Sequence, residues 1–333
     1  MRVFITGTAG FIGFHLAELL LQEGFTVHGF DGMTDYYDVA LKRDRHALLG
    51  QHPRFTATEA LLEDDTALNA AMDACAPDVI VHLAAQAGVR YSIDNPRAYV
   101  DANIIGSFNV MEAARRHRPR HLLMASTSSV YGANDLMPYA ETHKADTQMS
   151  FYAATKKANE AMAHSWAHIH ALPITMFRFF TVYGPWGRPD MALFKFTKAI
   201  LNGEAIDVYN HGEMWRDFTY VTDLVHGIRL LIDAVPGGPE TAVPGDSLSP
   251  VAPWRVVNIG NSDKVRLEAF IEAIEAATGH KAIRNYMDMQ PGDVPATWAD
   301  ATLLRALTGY APATDIRNGV ERFVEWYQGY YAA

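Results

Sequence analysis

The sequence is poor in the residues that make cross-links and metal sites. Cys75 is the single cysteine among 333 residues, so one chain cannot form an internal disulfide, and we expect a reducing, cytoplasmic setting. We interpret this lone thiol as a small core residue, because no activating motif surrounds it. The 14 histidines form neither a His-Glu-x-x-His motif nor a Cys/His ligand spacing. The sequence therefore predicts no metal centre.

Long apolar runs and an excess of positive charge are also lacking. No apolar run approaches the roughly 18 residues that a membrane span needs, and no charged segment leads into an apolar one at the N-terminus. We expect neither a span nor a signal peptide. The 38 Asp and Glu outnumber the 28 Lys and Arg, which gives a formal net charge of −10. Such a surface repels nucleic acids and anionic membranes, and we predict neither as a partner.

Short apolar runs alternate with stretches of helical periodicity through the first half of the chain. This alternation predicts an α/β fold with a doubly wound parallel sheet of the Rossmann type, whose ligands lie beyond the carboxyl ends of the strands. The predicted strands are 3–6, 26–30, 79–84, 121–126 and 174–180, and the predicted helices are 11–23, 66–74, 96–116 and 151–170.

The pattern loosens in the second half of the chain. Helical periodicity returns at residues 193–202, 220–235, 267–278 and 316–331, whereas residues 235–253 carry five prolines and three glycines and predict a surface loop. We therefore predict a main domain built on the sheet over residues 1–180 and a smaller C-terminal lobe over residues 181–333. Some of the chain is expected to cross back from the lobe to the sheet.

A glycine-rich turn follows the first predicted strand. Gly7, Gly10 and Gly13 are spaced three residues apart, and the helix that carries Phe11 and Ile12 begins inside the turn. Glycine allows a tight turn and a close approach of the backbone to a pyrophosphate, and a helix N-terminus offers free N–H groups with partial positive charge. A glycine trio alone is weak evidence, but its place between a strand and a helix predicts a dinucleotide site.

An aspartate ends the second predicted strand. Asp31 lies 18 residues beyond Gly13, where a carboxylate can accept hydrogen bonds from both ribose hydroxyls and repel a 2′-phosphate. This position favours NAD over NADP, and the alternative is a solvated aspartate at the end of a strand. Lys42, Arg43 and Arg45 follow nearby and leave NADP open.

A tyrosine and a lysine share one face of a predicted helix. Tyr152 and Lys156 are four residues apart, and an ammonium beside a phenol lowers the phenol's pKa from about 10 toward neutrality. Tyr152 would then be a general base for a substrate hydroxyl. Thr127, Ser128 and Ser129 follow the strand predicted over 121–126, at the sheet edge where a ligand is expected. The alternatives are an amphipathic helix with an exposed lysine and a simple polar turn.

Together these motifs resemble the extended short-chain dehydrogenase/reductases, the NAD-dependent epimerase/dehydratase family. The motifs in family order are Gly7-x-x-Gly10-x-x-Gly13, His82-Leu83-Ala84-Ala85, Thr127, Tyr152-x-x-x-Lys156 and Arg216-Asp217-Phe218-x-Tyr220-Val221, and they span essentially the whole chain. The resemblance implies a catalytic triad of Thr127, Tyr152 and Lys156, NAD in the main domain and a UDP-sugar in the smaller lobe. It implies NAD contacts for Gly7, Gly10, Phe11, Ile12, Gly13, Asp31, Lys42, Leu61, Leu83, Ala84, Ala85 and Lys156. It also implies a homodimer formed through a four-helix bundle of helices near 96–116 and 151–170.

Residues 35–38, 86–92 and 177–191 are similar to the UDP-glucuronate 4-epimerases in particular. By this resemblance Thr181 and Arg188 hold the carboxylate of the substrate, Arg216 contacts the diphosphate, and Asp293 contacts the uridine ribose. The implied substrate contacts are Arg90, Thr127, Ser128, Ser129, Tyr152, Thr181, Arg188, Arg216 and Asp293.

Chemistry gives a reason to hold the carboxylate. Oxidation at C4 of a uronic acid gives a β-keto acid, which loses CO₂ readily when the bond to the carboxylate aligns with the carbonyl π system. Groups that fix the carboxylate can recognise it and restrict that alignment. We expect inversion at C4 of UDP-glucuronate to UDP-galacturonate through a 4-keto intermediate. Tyr152 would take and return the proton, Thr127 would orient the oxygen, and NAD would take and return the hydride.

Three other functions stay open. A C4-epimerase for a neutral or N-acetylated UDP-hexose would have no use for Thr181 and Arg188. A UDP-glucuronate decarboxylase is disfavoured, because Ser128 and Ser129 stand where related decarboxylases and dehydratases carry an acidic residue. A binding protein that senses dinucleotides without chemistry is disfavoured by the intact triad.

Two positions depart from the family pattern. Leu61 stands where the family usually has an aspartate that contacts adenine, and Gly32 stands where an asparagine often follows the acidic residue. We expect adenine recognition to be weaker here or to be made by other groups.

Overall fold

Strands and helices alternate along the chain. The computed structural model describes residues 1–290 and 293–331. In this part of the chain the strands are β1 Arg2–Thr6, β2 Thr26–Asp31, β3 Phe55–Glu59, β4 Val79–His82, β5 His121–Thr127, β6 Ile174–Phe179, β7 Thr181–Tyr183, β8 Ala205–Tyr209, β9 Trp215–Tyr220, β10 Trp254–Ile259, β11 Lys264–Arg266, β12 Ile283–Met287 and β13 Ala296–Thr297. The helices are α1 Phe11–Gln22, α2 Val39–Gly50, α3 Asp65–Cys75, α4 Tyr91–Asp94, α5 Pro96–Tyr99, α6 Gly106–His117, α7 Phe151–His170, α8 Ala192–Asn202, α9 Val221–Leu231, α10 Leu267–Thr278, α11 Thr302–Thr308 and α12 Ile316–Tyr331.

Seven of the described strands form one parallel sheet in the order β10-β6-β5-β4-β1-β2-β3. Near its centre, Ile5 of β1 is paired with Gly29 of β2 on one side and with Val81 of β4 on the other. The strand order reverses between β1 and β4, and a doubly wound sheet binds its ligands in the crevice at that point. The predicted α/β fold with a doubly wound parallel sheet is confirmed.

Helices cover both faces of this sheet with apolar side chains. On one face, α1 and α9 contribute Leu20 and Ile228 to a continuous buried layer. On the other face, α3, α6 and α7 contribute Leu68, Val110 and Ala163. Burial of a single leucine, isoleucine or valine side chain contributes about 1.5–3 kcal/mol, so these two layers hold the edge of the sheet, and the site on it, in place.

A smaller lobe from the second half of the chain has its own core. Phe218 of β9 stacks on Phe270 of α10 with 4.2 Å between ring centroids, and Phe323 of α12 belongs to the same cluster. The lobe is not continuous in sequence, because β10 pairs with β6 in the main sheet and α9 packs against α1. The division at residues 180 and 181 stays a prediction, and the last residue of the predicted lobe, 333, lies outside the described residues.

None of the helices in residues 1–290 and 293–331 combines the length and the apolar character needed to cross a membrane. Across the same residues, no group of three or more His, Cys, Asp or Glu side chains is arranged to hold a metal ion. Cys75 is partly buried at the end of α3, and burial raises the pKa of its thiol to about 11. Such a thiol is a poor nucleophile, which supports its interpretation as a packing residue.

The helix predicted over residues 96–116 is interrupted. Between α5 and α6, Val100–Ile105 forms a π-helical turn, and π-helical turns occur often at functional sites. Asn103 lies in this turn, is fully buried, and bonds the backbone of Gln86 and the hydroxyl of Thr155. The turn therefore directs a polar side chain inward, which a regular amphipathic pattern does not reveal.

Two further boundaries differ from the predictions. The strand predicted over residues 79–84 ends at His82, because the N–H groups of Leu83 and Ala84 turn to the hydroxyl of Thr6. The helix predicted over residues 220–235 is shorter at both ends. Helix α2 was not predicted, because its buried side chains include Lys42 and Arg45, and buried cations conceal the apolar periodicity that marks a helix.

Two buried histidines should make the protein labile in acid. His82 bonds the hydroxyls of Thr6 and Ser107, and His121 is fully buried in β5. Burial lowers the pKa of each imidazole to about 3, whereas histidine in an unfolded chain has a pKa of about 6.5. Because only the unfolded chain takes up these protons, the stabilisation is complete above pH 6.5 and is lost as the pH falls toward 3.

Each of these histidines contributes about 1.4 kcal/mol per pH unit in that window. His15, whose pKa burial lowers to about 4, adds to this loss, whereas the raised pKa values of Glu141 (about 7) and Asp217 (about 6) oppose it. The contribution of one histidine is therefore the difference between wild type and a variant. His121→Gln should reduce the loss of unfolding free energy between pH 6 and pH 5 by about 1 kcal/mol, which urea unfolding at the two pH values measures. An equal pH dependence in wild type and His121→Gln would contradict the assignment of a neutral, buried imidazole at this position.

Candidate active site

The glycine turn between β1 and α1 has no room for side chains. Gly7 has a φ of +82°, and a Cβ on it would lie 2.8 Å from the backbone nitrogen of Ala84. A Cβ on Gly13 would lie 2.0 Å from the carbonyl oxygen of Gly7. Among the described residues, no side chain caps the N-terminus of α1 after Gly10. The first N–H groups of the helix, including that of Phe11, can therefore receive a phosphate.

Asp31 ends β2 beside this turn and is 8% exposed. Its two carboxylate oxygens accept one hydrogen bond each, from the N–H groups of Ala9 and Met33, both at 2.9 Å. A carboxylate has about four acceptor positions, so the remaining ones are free for ribose hydroxyls. The turn and this carboxylate fit the pyrophosphate and the ribose of NAD.

The basic residues near Asp31 have protein partners. Lys42 donates to the carbonyl of Thr34 at 2.6 Å, and Arg45 is fully buried and donates to the carbonyl of Ala9 at 2.7 Å. Arg43 is exposed and pairs with a glutamate. Because all three cations are held by protein oxygens, the structure supports NAD over NADP.

The two departures from the family pattern lie against each other. Leu61 is 49% exposed, and its Cδ2 lies 2.6 Å from the place that a Cβ on Gly32 would take. Gly32 therefore makes room for Leu61. This edge of the sheet offers apolar surface, and not a carboxylate, to an adenine ring.

The other predicted NAD contacts lie around the same crevice. Ile12 follows Phe11 in the first turn of α1. Leu83, Ala84 and Ala85 form the segment directly after β4, against which the glycine turn packs.

Thr127, Tyr152 and Lys156 meet where β5 ends and α7 begins. Lys156 is buried and donates to the carbonyl of Ala125 in β5 at 3.0 Å, and burial lowers the pKa of its ammonium to about 8. The Thr127 hydroxyl accepts a hydrogen bond from the Ser129 N–H at 3.2 Å. The structure thus brings the three predicted catalytic residues to one place at the carboxyl edge of the sheet.

Burial dominates the pKa of Tyr152. It raises the pKa of the phenol above its usual value of 10, and the Thr127 hydroxyl and the charge of Arg188 partly oppose the rise. From the sequence we predict that Lys156 lowers the pKa of Tyr152. In the structure this prediction is wrong, because the Lys156 ammonium donates to the Ala125 carbonyl and not to the phenol.

The arginine predicted to bind a substrate carboxylate already holds one from the protein. Arg188 donates from Nε and Nη2 to the two carboxylate oxygens of Asp190 at 3.0 and 2.6 Å. Tyr36 donates to Asp190 Oδ2 at 3.2 Å. Burial is the largest cause and acts to raise the pKa of Asp190, but the charge and hydrogen bonds of Arg188 together with the Tyr36 hydroxyl outweigh it and the pKa is lowered. Arg188 also lies close enough to Tyr152 for its charge to act on the phenol.

Arg90 and Arg216 converge on Asp293. Arg90 Nη2 lies 3.4 Å from Asp293 Oδ2, and Arg216 Nη2 lies 4.0 Å from Oδ1. The guanidinium of Arg90 also lies 4.7 Å from the ring centroid of Tyr209. Three predicted substrate residues are thus neighbours, and their two guanidinium groups suit a diphosphate.

The remaining predicted substrate residues follow the ends of two neighbouring strands. Ser128 and Ser129 form part of a 3-10 turn directly after β5, and Thr181 begins β7 just after β6. Thr127 of β5 is opposite Phe179 of β6 in the sheet, so Thr181 lies at the same edge as the triad.

Several residues around the site were missed by the sequence analysis. Tyr99 donates to the carbonyl of Gly88 at 2.5 Å, and its ring lies 6.0 Å from that of Tyr152. Asn103 holds the neighbouring Gln86 segment in place. These side chains act on residues distant in the chain, so no local spacing could have revealed them. Asp190 was part of a segment similar to the family, but no role was predicted for it.

The fold and these side chains define a class of enzyme. A glycine turn and a strand-end aspartate build a dinucleotide site, and a tyrosine and lysine lie beside it on one helix, as in the short-chain dehydrogenase/reductases. Residues 3–243 match the model of the NAD dependent epimerase/dehydratase family. The chain belongs to this family, and the predicted family and cofactor are confirmed.

Relatives and solved structures agree with this assignment. The chain is 56% identical to a probable UDP-glucuronate 4-epimerase of Rhizobium meliloti (strain 1021), over 99% of this chain and 98% of that protein. It is similar to the crystal structure of UDP-glucuronic acid 4-epimerase from Bacillus cereus in complex with UDP-glucuronic acid and NAD, with a TM-score of 0.88 and 29% identity over 99% and 100% of the two chains. A UDP-glucose 4-epimerase of Thermotoga maritima, solved with UDP-glucose, gives a TM-score of 0.86 at 26% identity over 99% and 100%.

Proposed function

We propose that this protein inverts C4 of UDP-glucuronate to give UDP-galacturonate, with NAD as its bound cofactor. The main support is the position of Arg188, whose charge acts on Tyr152. A cation able to bind a sugar carboxylate therefore lies within electrostatic range of the side chain that would carry the proton. The relatives named as UDP-glucuronate 4-epimerases support the same substrate.

NAD, when bound, supplies the oxidising chemistry, since it accepts a hydride from C4 and returns it. Asp31 would hold the ribose hydroxyls and the N-terminus of α1 the pyrophosphate. The residues that would hold the cofactor are Gly7, Gly10, Phe11, Ile12, Gly13, Asp31, Lys42, Leu61, Leu83, Ala84, Ala85 and Lys156.

Tyr152 carries the proton of the C4 hydroxyl in this proposal. As a phenolate it would take the proton while the alcohol becomes a ketone, and as the resulting phenol it would give the proton back to the inverted product. Thr127 donates a hydrogen bond to the same substrate oxygen and orients it. Lys156 is charged below its pKa of about 8 and would contact the bound NAD. Inversion requires the 4-keto sugar to rotate between the two steps, so that both faces of C4 are presented in turn.

The substrate's carboxylate and nucleotide would be held at two places. Thr181 and Arg188 bind the carboxylate and keep it away from the alignment that releases CO₂. Arg90 and Arg216 bind the diphosphate, and Asp293 accepts hydrogen bonds from the uridine ribose. Ser128 and Ser129 line the sugar site after Thr127 without adding a carboxylate.

A neutral UDP-hexose is the second candidate substrate. The Arg188–Asp190 pair has no net charge, so a pocket in which this pair stays closed accepts a neutral sugar. The likeness to a UDP-glucose 4-epimerase is nearly as high in TM-score as the likeness to the glucuronic acid enzyme, which means that the fold does not select the sugar.

We also propose a cytoplasmic homodimer. Helices α6 and α7 expose large apolar side chains to solvent, among them Phe108 at 43%, Phe151 at 41% and Ile169 at 65%. A second copy of these helices would cover that surface in a four-helix bundle. The absence of any cysteine besides Cys75 suits a reducing compartment.

Incubation of the purified protein with UDP-glucuronate, without added reductant, tests the proposed reaction. We expect UDP-galacturonate and no trapped CO₂ when the UDP-sugars are separated. A UDP-pentose with CO₂ would indicate a decarboxylase instead. Conversion of UDP-glucose or UDP-N-acetylglucosamine alone would keep the mechanism and refute the sugar acid, and no conversion of any of the three would favour a binding protein.

A further inference from the structure

Arg188 is held in one orientation by contacts on one edge of its guanidinium. Its Nε and Nη2 form the two parallel hydrogen bonds to Asp190, which is the bidentate arrangement with the highest geometric specificity. The Tyr36 ring lies 5.8 Å from the guanidinium, and the Tyr36 hydroxyl donates to Asp190. Among residues 1–290 and 293–331, Arg188 Nη1 has no hydrogen-bond partner and Nη2 uses one of its two N–H groups, so the edge formed by Nη1 and the second N–H of Nη2 is available to a substrate.

The backbone that carries Arg188 is fixed as well. Residues 184–190 form a loop after β7, and the carbonyl of Pro185 bonds His15 Nε2 of α1 at 2.9 Å. Arg45 of α2 donates to the carbonyl of Trp186 at 2.5 Å. The Trp186 ring lies 5.3 Å from that of Trp326 in α12. Three helices thus hold the loop, so the orientation of the Arg188 guanidinium depends on the contacts of its own side chain with Asp190 and Tyr36.

We propose that Asp190, itself held by Tyr36, is a positioning residue that aims Arg188 at the carboxylate of the sugar acid. This inference rests on the proposed function and deepens it. Asp190 occupies the Nε edge of Arg188, so the substrate's carboxylate is received at the remaining edge, by Nη1 and the second N–H of Nη2. The Arg188–Asp190 pair would thereby select a sugar acid and limit the loss of CO₂, because it holds the carboxylate while C4 is a ketone. Since the pair has no net charge, it does not strengthen substrate binding through charge alone.

The proposal predicts a separation of kcat from KM in Asp190→Asn. The variant loses the bidentate partner and gains a net positive charge, so UDP-glucuronate should bind with an unchanged or lower KM. A misplacement of about 1 Å costs on the order of 10²-fold in rate, and we expect kcat for UDP-glucuronate to fall by about 10-fold to 100-fold. The fraction of product released as CO₂ and UDP-pentose should rise. Any turnover of UDP-glucose should change less than threefold.

A double-mutant cycle with Arg188→Met shows whether Asp190 acts through the arginine. In the Arg188→Met background, Asp190→Asn should change kcat/KM by less than threefold, because there is no guanidinium left to position. Tyr36→Phe removes only the hydroxyl that holds Asp190, and we expect kcat for UDP-glucuronate to fall by about threefold. This milder variant carries the test if Asp190→Asn fails to fold.

Four results would overturn the proposal. They are an unchanged kcat in Asp190→Asn, an equal loss on UDP-glucose, a loss that persists without Arg188, and a CO₂ fraction that does not rise. A wild-type protein that does not convert UDP-glucuronate would refute the proposed function itself. If the wild type converts UDP-glucuronate and the Asp190→Asn variant does so with the same kcat, only the positioning role of Asp190 would be refuted.

Discussion

Replacing Tyr152 by phenylalanine should abolish nearly all epimerisation and leave ligand binding intact. The change removes one oxygen atom and keeps the ring at the start of α7. Proton transfer by a positioned side chain contributes about 10²–10⁴-fold, and the neighbouring Thr127, Ser128 and Ser129 carry hydroxyls that are too weakly acidic to replace a phenol. We therefore expect kcat for UDP-glucuronate to fall by about 10³-fold or more. Chromatographic separation of the UDP-sugars measures the rate, and calorimetry with UDP-glucuronate should give a Kd within threefold of wild type.

Tyr99→Phe is the matched control for this experiment. Tyr99 lies in the same aromatic cluster, 6.0 Å from Tyr152 between ring centroids, and its hydroxyl donates to the Gly88 carbonyl. Its loss removes a neutral hydroxyl that is shared between the carbonyls of Ala87 and Gly88. A neutral hydrogen bond is worth about 1 kcal/mol, so at most about a tenfold loss of rate is expected. If Tyr152→Phe retained several per cent of the wild-type rate, or if both variants lost the same activity, another group would have to carry the proton.

Glu160→Gln should be among the most destabilising single substitutions in the main domain. Glu160 is 1% exposed, and its carboxylate receives Arg178 Nε and Nη2 at 2.8 Å each. Ser126 and Lys157 donate to the same carboxylate at 2.7 and 3.1 Å. Burial acts to raise the pKa of Glu160, but Arg178 outweighs it and the pKa is lowered. The pair is therefore charged, and it ties α7, which carries Tyr152, to strand β6.

The cost follows from what the substitution leaves behind. Glutamine removes the negative charge and leaves the Arg178 guanidinium buried without compensation, which costs about 3–5 kcal/mol. Urea unfolding at pH 7 measures the loss. Glu112→Gln is the control, since Glu112 pairs with Arg115 through two bonds at 3.0 and 2.9 Å, but on a solvent-facing part of α6. An exposed pair of this kind contributes about 0–1 kcal/mol. Equal effects of the two substitutions would show that burial does not set the strength of the Glu160 pair.

The local parts of the fold and of the site could be predicted from sequence because they depend on short-range regularities. Strands buried on both faces appear as short apolar runs and amphipathic helices show a period of about 3.6 residues, and these signals placed β1, β2, α1 and α7 within a residue or two. The glycine turn, Asp31 and the Tyr152–Lys156 spacing are local as well. Each depends on backbone conformation or side-chain spacing within a single element or on the turn beside it.

Tertiary structure decided which side chains meet. Tyr36 reaches Asp190 across 154 positions of the chain, and Arg45 reaches Trp186 across 141. Nothing in either local segment indicates such a partner, because the contact depends on the path of the whole chain around the sheet. The same holds for Lys156, whose ammonium bonds Ala125 and not Tyr152. The sequence by itself determined the class of cofactor and the residues able to move a proton. Only the packing of distant segments decided how Arg188 is held and what surrounds Tyr152, because burial and long-range hydrogen bonds exist only in the folded chain.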